Sequence, residues 1–321
     1  MSAGQDAGDA VATQESPAGD LTSYNWRQMA AEKTSLGFIG AGRAGSGLAV
    51  GLARAGYEIV AVASRGNASA RALAGRIRGA RVCAPQEVAD RADTVFLTVP
   101  DDAIEPVASG IRWRAGAACV HCSGAAELDT LHKAAEDGAL AGGFHPLRMF
   151  GEPGESAVVL AGCAIALAGA EPLLTRLEAL ARALGARPLR LPAGGRALYH
   201  AAANFSGAFV IALVQETARL WSKLGIAEAD AFAALLPLLR GTADNVERLG
   251  TAGGLGSAVA RGDTGTIRRH LEVLAREAPE SLELYRALSL RTVPIALAKG
   301  TLDSRTAAEL AALLSPHPPV R

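Results

Sequence analysis

The stretch Gly37–Gly47, GFIGAGRAGSG, sets five glycines in eleven residues directly after a short apolar run. Glycine loses more conformational entropy on folding than any other residue, so such a cluster marks a place where backbone turns tightly or meets something closely. Gly40, Gly42 and Gly45 match G-x-G-x-x-G, between the strand-like LGFIG and the helical GSGLAVGLARAG. In such a unit the first glycine permits the turn, the second lets a pyrophosphate reach the backbone, and the third lets helix and strand pack closely. The helix N-terminus then offers free N–H groups and a partial positive charge. The segment predicts a dinucleotide site in which Gly40, Gly42, Arg43, Ala44 and Gly45 face the phosphates.

The remainder of the first half fits that unit. Eight β-type runs, Leu36–Gly40, Glu58–Ala63, Arg81–Ala84, Thr94–Val99, Ala117–Cys122, Leu140–Phe144, Cys163–Ala168 and Arg187–Leu191, alternate with helical patterns such as Leu48–Ala55 and Ala68–Gly75. Near-continuous apolar strands such as TVFLTV belong in a parallel sheet covered by helices on both faces. The expected fold is a Rossmann-like doubly wound α/β domain over residues 34–192. After LPAGGR the pattern is helical only, and residues 193–321 are expected to form an all-α domain. It opens with one long helix, Arg196–Leu224, closed by Gly225. Further helices are expected at Glu228–Leu239, Thr264–Ala278, Glu280–Ala298 and Ser304–Leu314, with Asp263 capping the third of these five.

The second strand ends VAVASRG. An NAD-preferring site places a carboxylate about 20 residues past the glycines, on the ribose hydroxyls. Ser64 and Arg65 stand there instead, and an arginine pairs with a 2′-phosphate that a carboxylate would repel. NADP(H) is therefore the expected cofactor, with Arg43 a second contact; the other reading of Arg65 is an ordinary solvated side chain. Ligands in such folds bind beyond the carboxyl ends of strands, which places Val99, Pro100 and Asp101 of TVPDDAI beside the nicotinamide half. Asp101 or Asp102 serves equally well as a helix cap. Ser123, in VHCSGA, and His145, in GFHPLRMF, also follow strand ends. Pro146 disfavours helical geometry at His145 and turns it toward the crevice, where Arg148 is suited to clamp a carboxylate.

Composition narrows the partners. Thirty-two basic residues balance 32 acidic ones, leaving no electrostatic footprint for nucleic acid or an anionic membrane. Only four of the basic residues are lysine, a bias that discounts single surface arginines as functional signals. Four cysteines make no disulfide framework, and the Cys119-x-x-Cys122 pair lacks the second half of a metal site, so no metal is expected. Residues 1–33 lack a signal peptide's basic and apolar regions and read as a disordered tail. The uncharged run Ser156–Ala170 is shorter than the roughly 18 to 20 residues a bilayer requires. A cytoplasmic protein with a small-molecule substrate is the expectation.

The segments 37–49, 98–104, 121–125, 143–150, YHAAANFSGAFVIAL (199–213) and ARGDTGTIRRHL (260–271) resemble the 6-phosphogluconate-dehydrogenase-like superfamily of NADP-dependent oxidoreductases. Within it the chain resembles the branch in which a C-terminal domain of unknown function follows a Rossmann-like domain, related to pyrroline-5-carboxylate reductase and ketopantoate reductase. The resemblance implies a homodimer and an active site in the cleft between domains. Related hydroxyacid dehydrogenases carry Lys-x-x-x-Asn early in the second domain, where this chain has His200 and Asn204. A spacing of four puts both on one helix face. The implied function is NADPH-dependent reduction of a small carboxylate-bearing ketone or imine, with ketopantoate the most concrete substrate. His200 would act as general acid, Asn204 as orienter, and Ser123 and His145 as companions. A cyclic-imine reductase and a non-catalytic NADPH-binding regulator are the alternatives, and His200 read structurally is a hydrogen-bonded polar residue.

Overall fold

The computed structural model describes residues 34–150 and 160–315, so the expected tail, residues 1–33, lies outside the described residues. Two compact units divide at Ala203/Asn204, rather than at 192/193.

The first unit is built on one eight-stranded sheet. Its strands are β1 (Leu36–Ile39), β2 (Ile59–Ala63), β3 (Arg81–Val82), β4 (Thr94–Leu97), β5 (Ala118–His121), β6 (Leu140–Pro146), β7 (Ala164–Gly169) and β8 (Arg187–Arg190). Their spatial order is β3-β2-β1-β4-β5-β6-β7-β8. Alternation along the buried strands splits the core into two layers. Phe38, Phe96, Val120 and Phe144 face one side, against helices α1 (Arg43–Arg54) and α2 (Asn67–Ala74) and against a helix that follows β7, Leu173–Ala183. Ile39, Val95, Leu97 and Cys119 face the other, against α3 (Pro85–Arg91), α4 (Asp101–Ser109) and α5 (His132–Glu136). Leu173–Ala183 is then α6. Phe38 stacks on Phe96 at 5.1 Å between centroids and Phe96 meets Phe144 edge-on at 5.4 Å. Each such ring contributes about 1.5 to 3 kcal/mol through burial.

All eight expected strands form, but they are not uniformly parallel. β7 runs antiparallel to β6, with Phe144 opposite Leu167, and β8 then runs parallel to β7. A parallel return needs a crossover of a dozen or more residues, usually helical. Among the described residues between Pro146 and Ala164 there is no helix.

The sheet unit ends in α7 (Arg196–Ser206), inside which the two units divide. The helical unit continues with α8 (Ala208–Ser222), α9 (Glu228–Gly254), α10 (Thr264–Glu277), α11 (Pro279–Lys299) and α12 (Ser304–Leu314). The single long helix expected at Arg196–Leu224 is broken at Gly207, whose backbone (φ −118°, ψ −97°) leaves the helical region. Conversely, α9 runs past Pro237 to Gly254 and is interrupted only at Gly250, φ 68°. Asp263 caps α10 as expected, accepting a hydrogen bond from the Thr266 N–H at 2.9 Å, and Asp303 caps α12 in the same way. Among the described residues, a window within Arg196–Ser222 is apolar enough to cross a membrane by composition, but the break at Gly207 leaves helices of 11 and 15 residues.

Candidate functional site

The glycine loop takes the form its spacing predicts, and each glycine has a different physical reason. Gly40 sits at φ 112°, in the region that favours glycine. Its carbonyl accepts a hydrogen bond from the Thr98 hydroxyl at 2.7 Å, which ties the loop to the end of β4. A methyl group at Gly45 would strike the Gly40 carbonyl and the Thr98 hydroxyl, so only glycine lets α1 start this close to the strands. At Gly42 the corresponding direction is open, with nothing within 4 Å. Gly42 is also the N-cap of α1, without a side-chain cap and without an acidic residue in the first turn. The helix therefore turns the N–H groups of its first turn toward an open face, which fits a pyrophosphate. At the tip of β2, Ser64 receives a hydrogen bond from Ser69 at 3.2 Å, and Arg65 is exposed. The tip itself, Ser64-Arg65-Gly66, carries no carboxylate, which suits a 2′-phosphate. Arg43 and Ala44 open α1; Val99 and Pro100 lead into α4.

Beyond the carboxyl ends of β4, β5 and β6 lies a polar cluster. Ser123 donates to Asp101 Oδ2 at 2.7 Å and accepts from the N–H groups of Ala125 and Ala126 at 3.1 and 2.9 Å. Its hydroxyl is thereby saturated: Ser123 sits at the crevice, yet its group is committed to shaping the turn after β5. Asp101 is the first residue of α4 and makes no cap; Pro100 holds the N-cap position. Its carboxylate serves as the acceptor for Ser123.

His145 closes β6. Its Nδ1 lies 3.1 Å from the Tyr199 hydroxyl, and its ring meets that of His200 edge-on at 5.8 Å. Gly124 lies between the two imidazoles: a Cβ there would come within 2.5 Å of His200 Cδ2 and 2.9 Å of His145 Nε2. Burial first, then the Arg196 cation and the His200 ring, push the His145 pKa down to about 4 against the pull of Asp101. His145 is neutral at pH 7. Burial also raises the Tyr199 pKa, which keeps the phenol protonated and able to donate to Nδ1. With the phenol donating to Nδ1, the ring proton is on Nε2, the nitrogen turned toward Gly124 and His200.

Arg196 is the organising residue, and no motif or period in the sequence singles it out. It is fully buried although arginine is rarely so, and it begins α7. Its Nη2 donates to the Ser123 carbonyl, while its backbone N–H donates to Glu127 Oε1 at 2.9 Å. Glu127 thus places a carboxylate at the positive end of α7. The guanidinium lies over Gly143, where any Cβ would meet Nη1 at 2.6 Å. The turn after β5 and the start of α7 are therefore locked together, which fixes where Tyr199 and His200 emerge one turn later. Asn204 follows His200 by four residues in α7, just past the division between the units.

Cys119 and Cys122 are free thiols; burial pushes Cys122 up to about 12 and raises Cys119 as well, so neither is a ready thiolate. Arg148 is exposed next to residues 151–159, which lie outside the described ones.

A family model described as a Rossmann-like domain matches residues 20–146, and the model of a domain of unknown function, DUF2520, matches residues 163–292. No curated protein matches the sequence. Among solved structures, a Bacteroides fragilis protein described as an NADP oxidoreductase is similar at 27% identity and TM-score 0.64, over 80% of this chain and 97% of that one. A protein from Thermotoga maritima is similar at 24% identity and TM-score 0.70, over 83% and 99%. An imine reductase from a Pseudomonas species is similar at 22% identity and TM-score 0.56, over 87% and 99%.

Proposed function

We propose, from the premise that this chain belongs to the proteins joining a Rossmann-like domain to a DUF2520 domain, that it is an NADPH-dependent reductase of a small carboxylate-bearing ketone or imine. One observation carries the reading. The open glycine loop at Gly42 and the pair of imidazoles around Gly124 lie along the same carboxyl edge of the sheet. NADPH, when bound, supplies the hydride. The chain's own residues do the rest. Gly42 and the first turn of α1 hold the pyrophosphate, and Arg65 with Arg43 reads the 2′-phosphate. Neutral His145 offers a hydrogen bond from Nε2 to the substrate oxygen or nitrogen. His200 delivers the proton as negative charge develops there, and Asn204 orients the substrate.

The description of the Bacteroides relative as an NADP oxidoreductase supports the reaction class, and the imine reductase keeps both acceptor types in view. The deciding assay is NADPH oxidation with ketopantoate beside a cyclic imine. Consumption with one of them names the acceptor, and consumption with neither, despite NADPH binding, rejects the reading in favour of a non-catalytic binder. In the same protein Arg65→Ala is expected to raise the Kd for NADPH roughly tenfold and leave NADH nearly unchanged. Equal losses for both would remove Arg65 from the 2′-phosphate site.

The partner is a second copy of this chain. Buried apolar residues on α8 and α9 amount to Ala218, Ala231 and Leu235, while Phe205, Ile211, Leu224 and Leu238 are between 57% and 75% exposed. Helices with so little core of their own need another surface. Light scattering coupled to size exclusion is expected to give twice the 32.8 kDa chain mass, whereas a monomer would exclude the dimer.

A further inference from the structure

At the other end of the sheet from the glycine loop, where α1 ends and the turn before β3 begins, a cavity of about 440 Å³ is lined by Arg54, Arg76 and Arg78 over Val50, Ala53 and Ile77. Among the described residues, none of these three guanidiniums has a hydrogen bond or ion pair. Some arginines in the same unit find carboxylates, Arg91 with Glu87 and both Arg182 and Arg190 with Glu178; others on its described surface stand alone, but here three share one concavity. No acidic residue lines this cavity, and Glu58, the acidic residue nearest Arg54 in sequence, pairs with none of the three. Arg54 has a reason of its own to be there, since a cation in the last turn of α1 meets the helix's negative end. Arg76 and Arg78 have none: they flank buried Ile77 in an exposed turn, and three like charges around one concavity repel each other.

The geometry points to a second anion site, separate from the nucleotide loop, that takes a small molecule carrying two or more phosphate groups. Guanidinium forks match phosphate oxygens in pairs, and three of them offset more charge than one phosphate carries. The volume falls in the range of small-ligand sites, and the apolar floor of Val50, Ala53 and Ile77 accepts a carbon body. A chain with 32 basic and 32 acidic residues has no extended field to hold a polynucleotide or a membrane, which leaves a compact ligand. α1, with 12 residues, is about 18 Å long, so one ligand at the glycine loop does not also fill this cavity.

Titration calorimetry with inorganic pyrophosphate, with ADP and with citrate tests this on the full chain. The comparison is the triple variant Arg54→Ala/Arg76→Ala/Arg78→Ala, whose fold is checked by circular dichroism and thermal melting. These side chains are exposed and unpaired, so the melting temperature is expected to stay unchanged. With NADP+ added at saturation so that the glycine loop is filled, pyrophosphate or ADP should occupy one further site that the triple variant loses, with affinity falling roughly tenfold or more for each guanidinium removed singly. Citrate should bind much more weakly. Identical isotherms for wild type and the folded triple variant would overturn the site, as would no heat at millimolar pyrophosphate and ADP. Citrate binding as tight as pyrophosphate would overturn the phosphate assignment.

Discussion

Lowering the pH from 6.5 to 4.5 is expected to remove about 2 to 3 kcal/mol of stability through His121 alone. His121 ends β5, is 0% exposed, and among the described residues neither ring nitrogen has a hydrogen-bond partner. Burial, then the Arg196 cation and His145, hold its pKa down to about 3. In the unfolded chain a histidine titrates near 6.5. Between those values the unfolded state binds the proton and the folded state does not, so stability rises with pH across the window and is level above it. His145, held at about 4, adds a loss of the same sign and of nearly the same size across this window. Carboxylates held low by their partners, such as Glu216 at about 2, lose their contribution below about pH 4.5 and so leave this window to the histidines. Urea unfolding at pH 7.5, 6.5, 5.5 and 4.5 reads the slope. His121→Met, similar in size and without a titrating group, should roughly halve the slope and leave the His145 share; parallel slopes in both proteins would remove His121 from the account.

The second large effect concerns turnover. His200→Ala is expected to lower kcat by roughly 10² to 10⁴ while leaving the NADPH Kd unchanged, the range for loss of a positioned proton donor. Gly124→Ala should approach the same loss without touching either imidazole chemically, because the new methyl group must displace both rings. Tyr199→Phe should cost less, since it removes only the hydrogen bond that fixes the His145 tautomer. Steady-state kinetics with NADPH binding measured in parallel separates the cases. Full turnover in His200→Ala would make His200 structural; a Gly124→Ala enzyme as active as wild type would show that the two rings need not stand together.

The glycine loop, the eight strands and the cap at Asp263 were legible because each rests on neighbours in sequence: a 3.6- or two-residue period, a loop needing φ near 112°, a carboxylate three residues before an N–H. Features that depend on residues far apart escaped. Arg196 stood in plain view in LPAGGR, but an arginine-rich composition hid it among surface arginines, and only burial distinguishes it. Tyr199 directly precedes His200; nothing local reveals that it meets His145, 54 positions earlier. Glu127 carries no motif at all.

The sequence by itself determined a Rossmann-like sheet, a helical second half and an open phosphate loop with no carboxylate at the tip of β2, because periodicity, glycine geometry and charge act over a few residues. Tertiary structure decided the reversal at β7, the break at Gly207, the saturation of Ser123 by Asp101, and the clamp of Arg196 on the turn after β5. Those depend on which strands lie side by side and which buried groups find partners, and neither is set until distant segments pack.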